Sequence, residues 1–161
     1  MLTLALLIAL AALLVVLVVQ VLHASDRNAR DDARQAAAVA ARAEALNLTT
    51  ISYRTAGADL DRILAGATGN LRSQFAAQRP HFADTLAPQK SVSKGNVLAV
   101  GVVGSSSSRA RVDVAVDATV TTASAAGQPQ SVLKHYRMVL RLVRVHGHWL
   151  VSDVAFAGAP Q

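Results

Sequence analysis

The chain contains no cysteine, which excludes a disulfide framework, a thiolate-bound zinc, a catalytic thiol and a lipidated cysteine. Glutamate is almost as scarce, for Glu44 is the only one in 161 residues. Aromatic residues make up 4% of the chain, too few to supply the stacking platforms that nucleic-acid surfaces interleave with their cations. Residues 1–24 have no Lys, Arg, Asp or Glu. Residues 25–48 have no glycine or proline, the two residues least compatible with a helix interior.

The uncharged start holds a long apolar run. Leu2 to Leu22 reads LTLALLIALAALLVVLVVQVL, 21 residues in which only Thr3 and Gln20 are polar. At about 1.5 Å per residue it spans about 30 Å, the thickness of a hydrocarbon core. Only a helix lets a single segment satisfy its own backbone there. A transmembrane anchor is therefore expected over residues 1–24. A cleaved signal peptide fits less well: no basic residue opens the run, the run is long, and Leu22 holds the −3 position of the candidate cut after Ala24. Arg27, Arg30 and Arg34 follow the run, and counting them alone places the C-terminal side in the cytoplasm.

The remaining residues, 25–161, predict one α+β domain. Ser25 can cap a helix, with Asp26 in its first turn. The predicted long helix covers 25–50, with Ala29, Ala33, Ala36, Ala40 and Ala43 as a stripe at helical spacing. So small a stripe suits close packing on a sheet or helix, and it lacks the large a and d residues of a coiled coil. Short helices are predicted over 57–88. Asp59, Leu60, Ile63 and Leu64 mark one that ends near Gly66, and Leu71, Phe75 and Phe82 mark another region interrupted at Pro80 and closed before Pro88.

The period then changes to two. Over 93–157 four strands are expected: Asn96–Val103, Arg109–Thr122, Ser131–Val145 and Trp149–Phe156. In the second, Ala110, Val112, Val114, Val116, Ala118 and Val120 point one way, and Arg111, Asp113, Asp117 and Thr119 the other. Tyr136, Met138, Leu140 and Leu142 share a face of the third strand. In the fourth, Trp149 and Val151 share one face and Leu150, Val154 and Phe156 the other. Ser105–Ser108 reads as a flexible tip, Ala123–Gln130 as a loop, and His146-Gly147 as a tight turn. The expected architecture is a curved four-stranded antiparallel sheet covered by helices.

Sixteen Lys and Arg against ten Asp and Glu give a net charge of +6. Arg109, Arg111, Lys134, Arg137, Arg141 and Arg144 make the sheet basic. The reading is a solvated face or a surface for an acidic partner or lipid head groups, with no nucleic acid as partner. Asp113, Asp117, Asp153, His135 and Tyr53 are the acid–base candidates. Asp113 and Asp117 lie opposite the valine face and are expected to point outward, so no catalytic residue is assigned. His135, His146 and His148 lack a carboxylate or fourth ligand nearby in sequence, so no metal or other cofactor is expected. Asn47-Leu48-Thr49 fits the glycosylation pattern but falls in a predicted helix.

The stretch Tyr136 to Val154, YRMVLRLVRVHGHWLVSDV, resembles the closing hairpin of the actinobacterial, chiefly mycobacterial, Mce-associated membrane proteins: a strand of alternating Val and Arg, a turn with Gly, then Trp-Leu-Val-Ser-Asp. The apolar start, the Ile51-Ser52-Tyr53 segment after the first helix and the valine-rich strand at 112–120 fit as well. Gly-x-Trp-x-Val is also shared with the wider nuclear-transport-factor-2-like (cystatin-like) cone fold. The resemblance implies a single pass through the inner (plasma) membrane with the domain outside the cytoplasm, opposite to the arginine count. It implies an accessory subunit of an Mce-type importer of lipids such as sterols or fatty acids, with Mce proteins and their permease subunits as partners and no enzymatic activity. The fold alone leaves three alternatives open: a binder of an apolar ligand in the cone, an isomerase-like enzyme, and a type IV secretion assembly subunit.

Overall fold

The computed structural model describes residue 20 and residues 29–123 and 128–157. The expected anchor over 1–24 and the helix start at Ser25 therefore lie outside the described residues, Gln20 apart. Among the described residues no helix is long and apolar enough to cross a membrane.

Helix α1 covers residues 29–49. Alanine is the best helix former, and nothing in this stretch breaks the ladder. Ala37, Ala41 and Ala45 are fully buried, with Ala33, Ala40 and Leu48 packed partly against the same core. A side chain that stops at Cβ lets the helix backbone lie close to the sheet beneath it, at the expense of buried area per residue. The buried face differs from the expected stripe, since Ala36 and Ala43 are exposed together with Val39 and Leu46. Seven of the ten residues from 36 to 45 are alanine, so alanine spacing alone did not select a face.

Strand β1 is Ile51–Ser52, and helices α2 (Ala56–Gly66), α3 (Gly69–Gln78) and α4 (Phe82–Leu86) follow. Leu60 and Ile63 of α2 are almost wholly buried. Asp59 fixes the start of this helix: its carboxylate accepts from the Ser52 N–H at 2.8 Å, the Thr55 hydroxyl at 2.9 Å and Arg62 at 2.8 Å. A negative charge there also suits the helix dipole. Arg72 of α3 donates to the Leu64 carbonyl at the other end.

The sheet continues with β2 (Val92–Ser105), β3 (Arg109–Ala123), β4 (Pro129–Val145) and β5 (His148–Phe156). It is antiparallel throughout, in the order β1-β2-β3-β4-β5. The sheet thus has five strands and not the expected four. Ile51–Ser52 pairs with Val92 and Ser93, and two residues are too few to show an alternation.

The valine face of β3 is as expected, with Val112, Val114 and Val116 buried against Met138, Leu140 and Leu142 of β4. In β5 the outcome is different. Leu142 pairs with Val151 but Arg141 pairs with Asp153, so Ser152 is an extra residue in a bulge. The bulge reverses the alternation, and Val154, opposite Leu140, joins the core face with Trp149 and Val151. Two more bulges interrupt β2, between Val97 and Ala99 and between Val102 and Gly104.

The turns are tightly held. Residues 124–127 of the expected loop lie outside the described residues, and Pro129 already belongs to β4. His146 and Gly147 have φ of 49° and 87°, the left-handed pair of a type I′ hairpin turn, whose twist matches that of the strands. The exposed Ser105–Ser108 tip is closed by backbone hydrogen bonds: the Ser106 N–H donates to the Arg109 carbonyl at 2.8 Å and the Arg144 N–H to the Ser108 carbonyl at 2.9 Å.

At the β5 edge, the Thr68 N–H donates to the Val151 carbonyl at 2.8 Å. On the β2 side, β1 pairs only with Val92 and Ser93, so Lys94–Ser105 forms an edge. Two arginines of α1 reach that edge: Arg34 donates to the Val102 carbonyl at 3.1 Å and Arg42 to the Val97 carbonyl at 3.5 Å.

Candidate functional site

The concave side of the sheet, where a cone fold would hold a ligand, is filled by side chains. Ala37, Ala41, Ala45, Val112, Leu140 and Val151 are all at 0% exposure. One polar group is sealed among them. Glu44 is 2% exposed, and its carboxyl accepts from the Asn47 amide at 3.1 Å on one oxygen while the other has no partner. Burial pushes its pKa up from 4.5 to about 7, and the Asn47 hydrogen bond opposes that rise. The carboxyl rests on Gly66, where a Cβ would stand 2.0 Å from a carboxyl oxygen, so glycine leaves the room the carboxyl occupies. Sequence reasoning missed this site; the one signal for it was a lone acid in an alanine-rich stripe.

The outer face of the sheet carries Asp113, Asp117, His135 and Asp153. Asp113 and Asp117 point away from the valine face, as expected. Asp117 meets His135 of β4 at 2.6 Å, with the His135 side chain 71% exposed. Asp153 accepts from Arg141 at 3.0 Å and from the Asn70 amide at 3.1 Å. Tyr53 lies at the surface with the Arg54 guanidinium against it, Nε donating to its hydroxyl at 3.0 Å. These acid–base candidates are spread across separate surface pairs and share no enclosed space.

The three histidines do not converge either. His146 and His148 sit at the β4–β5 turn, while His135 lies 11 residues before His146 along an extended strand, a separation of about 35 Å. Among the described residues no group of His, Asp and Glu could hold a metal. Asn47 is occupied by its bond to Glu44.

The six basic candidates separate by face. Arg109, Arg111, Arg137 and Arg141 fall on the outer face. Lys134 and Arg144 have the opposite parity and occupy distant positions on β4. Arg111 and Arg141 are directly opposite each other across β3 and β4. They line a groove of about 540 Å³ with Arg109, Ser105 and Val143. A second outer groove, of about 440 Å³, holds Arg137 with Asp113 and Val139. A third, of about 520 Å³, runs along α1 between Ala36, Val39 and Ala43 and the Gly147–Trp149 turn. Among the described residues Leu98, Leu133 and Phe156 add exposed apolar area.

Comparison with known proteins places this geometry. The family model for "Uncharacterized protein Rv1363c/MT1408-like" matches residues 1–158. The Mycobacterium tuberculosis protein Rv1363c, itself described as uncharacterized, is 29% identical over 126 residues, which are 76% of this chain and 47% of that protein. The chain thus spans about half the length of that relative. Among solved structures, an IcmL-like type IV secretion system protein from Legionella pneumophila is similar at a TM-score of 0.58, with 10% identity, over 77% of this chain and 90% of that one. The periplasmic domain of DotI is similar at a TM-score of 0.55, with 17% identity, over 76% of this chain and 93% of that one. At such identities what is shared is the fold, a curled antiparallel sheet with helices on its concave side.

Proposed function

The chain belongs to the Rv1363c/MT1408-like family, and from that premise we propose that it is an accessory subunit of an envelope complex that works by protein–protein contact and not by catalysis. In this reading the apolar run of residues 1–24 anchors it in the inner membrane, and the domain of residues 25–161 stands outside the cytoplasm. Its outer sheet face meets the partner.

The observation that carries the reading is the distribution of chemistry across the sheet. The concave side is filled by the alanine face of α1, and Asp113, Asp117, His135, Asp153 and four of the six basic candidates lie on the convex side, with Asp117–His135 and Asp153–Arg141 as exposed pairs. A reaction of the cone type needs a carboxylate and opposing donors around one enclosed space. A docking face needs an accessible mixture of arginine, apolar and polar residues, as found here. The partner proposed from the Tyr136–Val154 hairpin is an Mce-type lipid importer with its permease subunits. A type IV secretion machine is the second reading, and its support is the shared fold of the IcmL-like protein.

Cross-linking of the tagged full chain in native membranes, followed by mass spectrometry of the captured proteins, tests the proposal. Mce and permease subunits are expected, lost on Arg137→Glu. Secretion-system subunits in their place would move the assignment to the second reading. Capture of neither, with an apolar ligand co-purifying instead, would overturn both.

A further inference from the structure

We propose that the outer sheet face carries a binding site for a phosphate monoester group at the end nearest the Ser105–Ser108 turn. This inference rests on the local geometry and not on the identity of the partner complex. Two bulges shape the site. The bulge in β2 sets Gly104 opposite Arg111, so the residue paired with that arginine has no side chain of its own. The bulge in β5 sets Asp153 beside Arg141.

Arg111 and Arg141 oppose one another in register, and like charges directly opposite are destabilising by themselves. Asp153 relieves only part of this. It pairs with Arg141 at 3.0 Å, and among the described residues Arg109 and Arg111 have no side-chain acceptor. Three guanidiniums against one carboxylate leave two positive charges around a groove of about 540 Å³. A carboxylate would neutralise one of them. A phosphate monoester, with a charge of about −1.5 to −2 near neutral pH, matches both. Its oxygens also suit the planar forks of arginine, which grip two at a time.

The frame is prepared for such a ligand. The Arg109 N–H donates to the Ser106 hydroxyl at 3.0 Å, and the Ser106 N–H returns to the Arg109 carbonyl at 2.8 Å. Arg109 is thereby held relative to β4, which the Ser108 carbonyl contacts through Arg144. The neighbouring groove is different: one arginine, Arg137, and one carboxylate, Asp113, line it, so its formal charges cancel. That contrast singles out one end of the face.

The test is calorimetric titration of the full chain in maltoside micelles at low salt. The probes are inorganic phosphate and micelles doped with phosphatidic acid, with phosphatidylcholine as the neutral control. Saturable binding is expected, weakened about tenfold or more by Arg109→Ala or Arg111→Ala and little by Arg137→Ala. The first two side chains are exposed and make no hydrogen bond among the described residues, so circular dichroism should show both variants folded. Binding of phosphatidic acid without inorganic phosphate identifies a lipid head group as the source of the ligand, and comparable binding of both identifies free phosphate. The proposal is overturned by no saturable binding of either probe, or by a loss in Arg137→Ala as large as that in Arg111→Ala.

Discussion

Glu44 and Asp59 show how differently one fold can treat two buried carboxyls. Asp59 has an acceptor role for each oxygen at the start of α2, whereas Glu44 has one hydrogen bond and one bare oxygen. The pKa of Glu44 is raised to about 7 in the fold from 4.5, so between these values the native state holds more proton than the unfolded chain. Stability is then full below about pH 4.5, declines as pH rises to about 7, and is lowest above it. The whole swing is up to about 3 kcal/mol. Glu44→Gln should remove this slope and raise the melting temperature at pH 8, which thermal unfolding of both proteins between pH 4 and 8 will measure. Gly66→Ala should cost about 1–3 kcal/mol by chemical denaturation, because the new methyl group would strike the Glu44 carboxyl. None of this was legible beforehand, since a solitary glutamate in a helix reads as solvated until the layer above it is known.

At the level of elements, legibility followed contrast. The strands β3 and β4 alternate Val or Leu with Arg, Asp or Thr, so the core face could be read directly from residues 110–118 and 136–142. Helix α1 offers no such contrast: of the expected stripe, Ala33 and Ala40 pack partly against the core while Ala36 and Ala43 are exposed. Ala41→Leu should therefore be destabilising by about 1–3 kcal/mol through overpacking, while Ala36→Leu should stay within about 0.5 kcal/mol. Urea unfolding of the two variants would distinguish the observed face from the expected one. The parity of Val154 was hidden for a different reason, because a bulge leaves no signature in residue types. The two-residue β1 was hidden by its shortness.

On the scale of the molecule, the α+β class, the antiparallel order and the outward acids were all visible in the change of period from helical to two. The site was less so. Six basic residues within 109–144 read as one surface, but parity and strand length divide them, and only Arg109, Arg111 and Arg141 line one groove. Charge counted along a chain does not say which cations share a face; register does. An association that depends on these three arginines should weaken as ionic strength rises, because exposed charges are screened beyond about 10 Å at 0.1 M salt. Partner recovery measured at rising salt, with Lys134→Ala as a control off this face, will show whether the effect belongs to this end of the sheet.

The reach of Arg34 and Arg42 to the Val102 and Val97 carbonyls also bears on how copies of the chain behave toward each other. A bare strand is a template on which another copy can add its own, and growth once begun can continue into a fibril. Here two guanidiniums hold carbonyls that an incoming strand would need, both beside bulges that spoil its register. Their importance should emerge only under crowding. An Arg34→Ala, Arg42→Ala double variant is expected to melt close to the parent at low concentration, yet to seed thioflavin-positive assemblies at high concentration where the parent stays dispersed. That outcome would give α1 a second task besides covering the core, keeping β2 from becoming a nucleus for self-assembly.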